Sequence, residues 1–295
     1  MPKRNASEEP PRPDWLLVDG SSLIFRAFFG VPQTVVSPGG GPVNGVRGFL
    51  DYLSRFITDR RPLHLAVATD EDWRPAFRVD LIPSYKTHRT AEPVPPLLEP
   101  QMPIIMEVLG ALGIPAVGAA GFEAEDVIAS LLKFVEGRAE ILSGDRDLFA
   151  LVRDPDVVVL YPGTKGQVLV VDEGEIERKY GIPGRSYGDY AILRGDPSDG
   201  LPGLPNVGDK KAAAMIARHG SIEGVLRGAN ITEADAEYIQ RALKVVPPVA
   251  TIPLEPPDAR LRQTPLDPAA VEALKLRYGL GGAIDRLLGA LTAVA

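Results

Sequence analysis

The chain has 295 residues, 45% of them hydrophobic, which is enough to bury a core as one large domain or two unequal ones. It contains no cysteine, and its three histidines, His64, His88 and His219, are scattered, so disulfide frames and thiolate or histidine-cluster metal sites are excluded. Any metal must be held by oxygen, which points to a hard ion such as Mg²⁺ or Mn²⁺. With 32 basic and 39 acidic residues the net charge is −7, superficially wrong for a nucleic-acid binder. Nine of those acids fall in clusters, however, and without them the rest of the chain is slightly positive.

Residues 1–13 are polar and carry four prolines, the pattern of a disordered tail, with no apolar segment of signal-peptide or membrane-spanning length. A cytoplasmic protein that avoids membranes is expected. Trp15-Leu-Leu-Val-Asp19 reads as a buried strand ending in an acid, followed by a turn and a helix over Leu23–Phe29. A helix over Val46–Thr58 leads to the strand His64–Asp70, which also ends in an acid. Residues 71–103 then mix Arg74, Arg78, Lys86 and Arg89 with Trp73, Phe77 and Tyr85, before prolines 93, 95, 96 and 100. A long basic and aromatic connection of this kind suits a single-stranded nucleic acid better than a passive loop.

A helix over Met102–Leu112 and a short strand over Ile114–Val117 precede Gly121-Phe-Glu123-Ala-Glu125-Asp126, three acids at the start of an amphipathic helix. Acids favour a first helical turn, so a simple cap competes with a binding role here. The strand around Ala139–Leu142 runs into Ser143-Gly-Asp145-Arg-Asp147, whose Asp-x-Asp spacing lets two carboxylates lean toward one ion, with a plain Asx turn as the competing reading, and then into a helix over Leu148–Val152. Edge strands are expected at Val157–Tyr161 and Gln167–Val171. After a helix over Tyr187–Leu193, the turn Asp196-Pro-Ser-Asp199-Gly200 adds two more acids. Gly203-Leu-Pro-Asn-Val207-Gly208-Asp-Lys210-Lys211 opens a basic helix whose free N–H groups favour anions. It is not a Walker A loop. A helical segment over Pro268–Leu291 ends the pattern.

Asp19, Asp70, Glu123, Glu125, Asp126, Asp145, Asp147, Asp196 and Asp199 could not all stay ionised together without cations. Two or more Mg²⁺ or Mn²⁺ ions answer that repulsion, and two ions about 3.5–4 Å apart suit in-line phosphoryl displacement. No Ser-His-Asp set or thiolate offers a nucleophile, so water is expected in that role.

In order and spacing, Val18-Asp19-Gly20, Thr69-Asp70, Tyr85-Lys86-Thr-His-Arg89, Gly121–Asp126, Ser143–Asp147 and Gly195–Lys210 together resemble the bacterial 5′-nuclease family. That family includes the 5′-to-3′ exonuclease domain of DNA polymerase I and stand-alone flap endonucleases. The resemblance covers about Trp15–Leu226. It implies an α/β fold, a Rossmann-like (PIN-like) core with a mostly parallel sheet, over residues 14–178. A helical arch at 71–103 and a helix-three-turn-helix with C-terminal helices over 179–295 complete the implied organisation. It also implies that Asp19, Asp70, Glu123 and Asp126 lie toward one metal, and Asp145, Asp147, Asp196 and Asp199 toward another. Lys86 and Arg78 would act on the scissile phosphate, Tyr85 would stack on the unpaired base, and Arg89 would contact DNA. Gly203, Val207, Gly208, Lys210 and Lys211 would grip the duplex, with K⁺ at backbone carbonyls.

Two departures from the family pattern stand out. Glu125-Asp126 replaces the usual Asp-Asp pair, a longer acid expected to shift metal spacing, or metal preference toward Mn²⁺, and Gly200 stands where many relatives carry Asn. The activity implied is that of a stand-alone, monomeric flap endonuclease and 5′-to-3′ exonuclease in a bacterial cytoplasm, associated with the nucleoid. It would act on flap, nicked or 5′-ended DNA, and on RNA primers in RNA–DNA hybrids, during Okazaki-fragment processing and repair. A PIN-type endoribonuclease and a DNA-junction binding module with a decayed site are the competing readings.

Overall fold

A computed structural model describes residues 12–91 and 94–294, so most of the expected tail and Pro93 lie outside the described residues. Six strands form one sheet in the order β3-β2-β1-β4-β5-β6. They are β1 (Trp15–Asp19), β2 (His64–Ala68), β3 (Ala116–Val117), β4 (Ala139–Leu142), β5 (Val157–Pro162) and β6 (Val168–Val171). All neighbours are parallel except β5 and β6, which are antiparallel. β5 is therefore internal, paired with β4 as well as β6, and the expectation of two edge strands there holds for β6 alone.

The central strands are apolar at nearly every position because both faces are covered. Leu17, Ala66, Ile141 and Val159 point to one face, Leu16, Val18, Leu65, Val67, Leu142 and Leu160 to the other. The first face packs against α6 (Ala124–Leu131) and continues into α8 (Tyr187–Arg194), α9 (Asp209–His219), α10 (Ile222–Gly228) and α11 (Glu233–Ala242). The second is covered by α1 (Gly20–Gly30), α2 (Asn44–Arg60), α5 (Met102–Leu112), α12 (Pro268–Tyr278) and α13 (Gly281–Val294). Residues 179–295 are thus split between opposite faces of the sheet. The single expected C-terminal helix is two, broken at Gly279, whose φ of +66° is left-handed. The strap between the two sets, residues 249–261, pairs with β2 through Leu65 N–H to Ala259 O and returns the chain across the sheet. Among the described residues no helix is long and apolar enough to cross a membrane.

Residues 71–103 hold two short helices, α3 (Ala76–Leu81) and α4 (His88–Ala91), before a 3-10 turn into α5. The helix expected at Leu148–Val152 is a 3-10 segment, Asp147–Leu151, too short to close α-helical turns before the chain enters β5. The remaining helix, α7 (Glu173–Tyr180), follows β6.

The site follows from the strand order. From β1 the chain moves outward through β2 and β3, then crosses back to place β4 on the other side of β1. The crevice beyond the carboxyl ends of β1 and β4 is the switch point where open parallel sheets bind ligands.

Candidate active site

Asp19 ends β1, and its Oδ1 accepts the Ser22 N–H at 3.0 Å, capping α1. Capping leaves its other oxygen toward the crevice, where Ser143 Oγ donates to it. Beyond β2, Asp70 Oδ1 accepts the Ala124 N–H at 2.7 Å, which ties the first turn of α6 to the same crevice. Beyond β4, Asp145 Oδ1 accepts the Asp147 N–H at 3.0 Å and fixes the Asp-x-Asp turn. Asp196 caps its own turn by accepting Ser198 N–H at 2.9 Å. Each acid is held by a backbone N–H, local for Asp19, Asp145 and Asp196 and from α6 for Asp70, and keeps spare acceptor capacity for something else.

These acids, with Glu123, Glu125, Asp147 and Asp199, line one cleft of about 840 Å³. Glu125, Asp145 and Asp147 each offer a carboxylate oxygen, the three within 4.8 Å of one another. Asp199 Oδ2 is buried and accepts no hydrogen bond, although Lys86 Nζ stands 3.4 Å away. A cluster made only of oxygen donors, with one left orphaned, fits hard divalent cations.

The electrostatics agree. Burial, opposed by the hydrogen bonds from Ser143 and Ser22 and assisted by Asp70 and Asp145, pushes the Asp19 carboxyl up to about 7. Burial, then Asp145, Asp199 and Glu125, push Asp147 well above the ordinary range. Glu125 is raised in the same way, by burial first. Lys86 is the cationic counterweight within the protein. Its Nζ donates to Glu123 Oε1 at 2.6 Å, and although burial opposes its charge, Glu125, Asp199 and Glu123 hold its pKa far above normal.

The structure corrects four assignments. Asp126 does not line the cleft. As the third residue of α6 it completes a capping box with Glu123, and its Oδ1 also accepts the Val249 N–H at 2.7 Å. Arg78 is 0% exposed and does not line the cleft: its guanidinium pairs with Asp126 at 2.7 Å, Glu123 at 2.9 Å and Glu125 at 3.0 Å, and donates to Val245 O at 3.0 Å. Tyr85, 2% exposed, donates its hydroxyl to Glu123 at 2.6 Å and has no face free for a base. Gly203 is buried, its N–H given to Tyr238 Oη at 3.1 Å, and an added Cβ would lie 2.4 Å from Arg194 O. It shapes the turn and does not face a duplex.

Of the other assignments, Lys86 is 1% exposed but borders the cleft, and the α9 residues are accessible. Lys86 and Arg89 line the cleft, Arg89 donating to Glu123 at 3.2 Å and to Trp73 O at 2.6 Å. Val207 is half-buried, and Gly208, Lys210 and Lys211 are exposed at the start of α9. Trp73, one of the aromatics of the 71–103 segment, reaches the cleft, as do residues given no role in the sequence: Phe25 and Phe29, one turn apart on α1, and His88. Phe29 is 70% exposed. An aromatic residue left uncovered at i+4 of a helix that follows a strand acid was the available signal.

Segment 71–103 is stitched to the 196–200 turn. Lys86 N–H donates to Asp199 O at 2.9 Å and Ser84 Oγ to Gly200 O at 2.6 Å. Gly200 has φ +69°, which Asn tolerates, but a Cβ there would sit 1.9 Å from Ser84 O. The absent Asn is therefore explained by close backbone approach. Gly200→Asn is expected to part these strands and cost about 1–3 kcal/mol. A calorimetric Tm unchanged from wild type would show that this contact does not hold the segment down.

Known proteins share this sequence and fold. Residues 14–181 match the family described as 5′-3′ exonuclease, N-terminal resolvase-like domain, and residues 182–248 match 5′-3′ exonuclease, C-terminal SAM fold. A 5′-3′ exonuclease of Streptomyces coelicolor is 47% identical over 302 residues, covering 94% of this chain and 100% of that protein. DNA polymerase I of Mycobacterium tuberculosis is 39% identical over 275 residues, 88% of this chain but 30% of that protein. The bacteriophage T5 D15 flap endonuclease, in a pseudo-enzyme-product complex with DNA and metal ions, superposes with a TM-score of 0.65 at 15% identity over 95% of this chain and 98% of that one. The acids beyond β1, β2 and β4 thus sit in a fold shared with nucleases, and the chain belongs to the 5′-3′ exonuclease family.

Proposed function

We propose that this protein is a structure-specific 5′-nuclease that hydrolyses DNA phosphodiesters near single-strand/duplex junctions, as flap endonuclease and 5′-to-3′ exonuclease, with Mg²⁺ or Mn²⁺ in the acidic cleft. The observation that carries the reading is the meeting of Asp19, Glu125, Asp145, Asp147 and Asp199, from loops far apart in sequence, around one cleft that Lys86 also enters. Asp19, Asp70 and Glu123 would hold a cation on one side, and Asp145, Asp147, Asp196 and Asp199 one on the other, with Glu125 reaching the Asp145–Asp147 pair. When bound, such cations neutralise phosphate charge and make water a competent nucleophile near neutral pH.

The chain's own residues do the rest. Glu123 orients the Lys86 ammonium, with Tyr85 and Arg78 fixing Glu123 from behind. Lys86 is placed to donate to a non-bridging phosphate oxygen as charge develops there. Phe25 and Phe29 offer stacking faces at the rim, the task first expected of Tyr85. Exposed amides and lysines at the start of α9 meet duplex phosphates without reading bases, which suits structure selection. The same reading extends to K⁺ at the 203–208 backbone, to RNA-primer removal in Okazaki-fragment processing and repair, and to a monomer in the bacterial cytoplasm beside the nucleoid.

Cleavage of labelled flap, nicked and single-stranded DNA with Mg²⁺, Mn²⁺ or chelator tests the proposal. Cation-dependent release of 5′-phosphorylated products at the junction is expected. No cleavage by pure protein would leave a binding module, and cleavage of RNA alone would favour the PIN-type reading. Lys86→Ala should slow the single-turnover rate by about 10²–10³-fold. A change confined to substrate affinity would remove its proposed role.

Cation binding should also release protons. Without cations the folded protein holds a proton on Asp19 between the ordinary carboxylate range and about pH 7, one that the unfolded chain has given up. Losing that proton therefore weakens the metal-free fold as pH rises through this window, while cation affinity increases. Mg²⁺ titration calorimetry at pH 6, in buffers of different ionisation enthalpy, should show proton release; buffer-independent heats would contradict it.

A further inference from the structure

A second cavity, of about 580 Å³, opens beside the acidic cleft, and Arg146 and Lys179 line both. Its other walls include Arg194, Lys210, Tyr190 and Asp209. Among the described residues, no carboxylate lies within ion-pair distance of Lys179 or Lys210. Arg146 stands 3.6 Å from Asp196, so it joins the edge of the acidic cluster to the basic cavity. The acid in the wall is already engaged: Asp209 Oδ1 forms an ion pair with Arg194 Nε at 2.8 Å and accepts a hydrogen bond from Tyr190 Oη at 2.8 Å. Gly208 caps α9 without a side chain, leaving first-turn N–H groups open at the same wall. With Arg146 beside Asp196 and Arg194 on Asp209, Lys179 and Lys210 leave the cavity net positive, next to a cleft suited to phosphoryl chemistry, which makes it a site for an anion.

We infer that the Arg146–Lys179–Arg194–Lys210 cavity seats a phosphate of the strand being cut, outside the reacting phosphodiester. This rests on the nuclease reading of the acidic cleft. Because Arg146 and Lys179 are shared, a strand whose scissile bond lies among the carboxylates passes directly into the basic cavity toward the start of α9. A phosphate held there fixes which bond of the strand lies among the carboxylates. Arg146 acts as a positioning residue between the two sites, since it contacts Asp196 on one side and faces the cavity on the other.

The test uses the full chain and a labelled 5′-flap duplex. Lys179→Ala should raise KM about tenfold while kcat moves less than about threefold, and Lys179→Arg should restore both. In chelator, binding measured from 50 to 200 mM KCl should show a log–log salt slope shallower by about one contact in Lys179→Ala. Single neutral methylphosphonate linkages walked along the cut strand should find one position that costs wild type the same tenfold and adds nothing in Lys179→Ala, assigning an internal phosphodiester. A matching loss on replacing a 5′-phosphate by a hydroxyl would instead assign the terminal monoester to this cavity. Unchanged KM and salt slope in both Lys179→Ala and Arg194→Ala, with wild type cleaving normally, would overturn the site. Failure of wild type to cleave would count against the nuclease reading alone, because the salt slope still reports the cavity.

Discussion

Asp145→Ala and Asp147→Ala are each expected to lower single-turnover cleavage by about 10³-fold or more while leaving flap binding within a few-fold of wild type. Both residues belong to the trio with Glu125 whose oxygens lie within 4.8 Å of each other, so either change removes one of three donors from one place. Loss of activity through unfolding is separable. Burial and the neighbouring acids Asp145, Asp199 and Glu125 hold Asp147 well above its ordinary pKa, which means that its ionised form opposes folding at neutral pH. Asp147→Ala should accordingly keep or raise Tm in chelator. It should also abolish the rise in Tm that Mg²⁺ gives wild type. Full turnover in both variants would remove this trio from the chemistry.

Arg78→Met should destabilise the fold by about 3–5 kcal/mol, the usual cost of stranding a buried charge by removing its partner. Three carboxylates, Glu123, Glu125 and Asp126, would lose one guanidinium, and Val245 O would lose its donor. Methionine replaces much of the aliphatic volume between Phe77 and Tyr85, so cavity formation is a small part of the effect. Lysine should not rescue it, because one ammonium cannot span three carboxylates and a carbonyl. Urea unfolding of the metal-free protein checks this through a lowered midpoint at constant m-value. If Arg78→Met left the midpoint unchanged and slowed only the chemical step, a direct role on phosphate would return.

Some of the residues behind these two expectations could be placed at the cleft from the sequence, and some could not. Asp19 and Asp70 were legible because a parallel strand carries its functional residue at the carboxyl end, and that position is visible once the apolar run is seen. Asp145 and Asp147 were legible from their spacing within one turn. Arg78 and Tyr85 were misplaced for a common reason. A basic or aromatic residue in a proline-rich connection looks exposed until one knows what covers it, and here Arg78 and Tyr85 turn inward onto Glu123.

The sequence by itself determined the chemistry: which acids exist, that no sulfur and no histidine cluster competes with them, and that strands end where they begin to converge. Tertiary structure alone decided which acids face the cleft. Glu125 and Asp126 are neighbours on α6, about 100° apart around its axis, so only one can point inward. Arg78 from α3 touches both acids, so the choice falls to Glu125 because Asp126 is also claimed by the Val249 N–H, 123 residues further along the chain. Local periodicity specifies the angle between two side chains, but the partner that selects between them arrives from elsewhere in the chain.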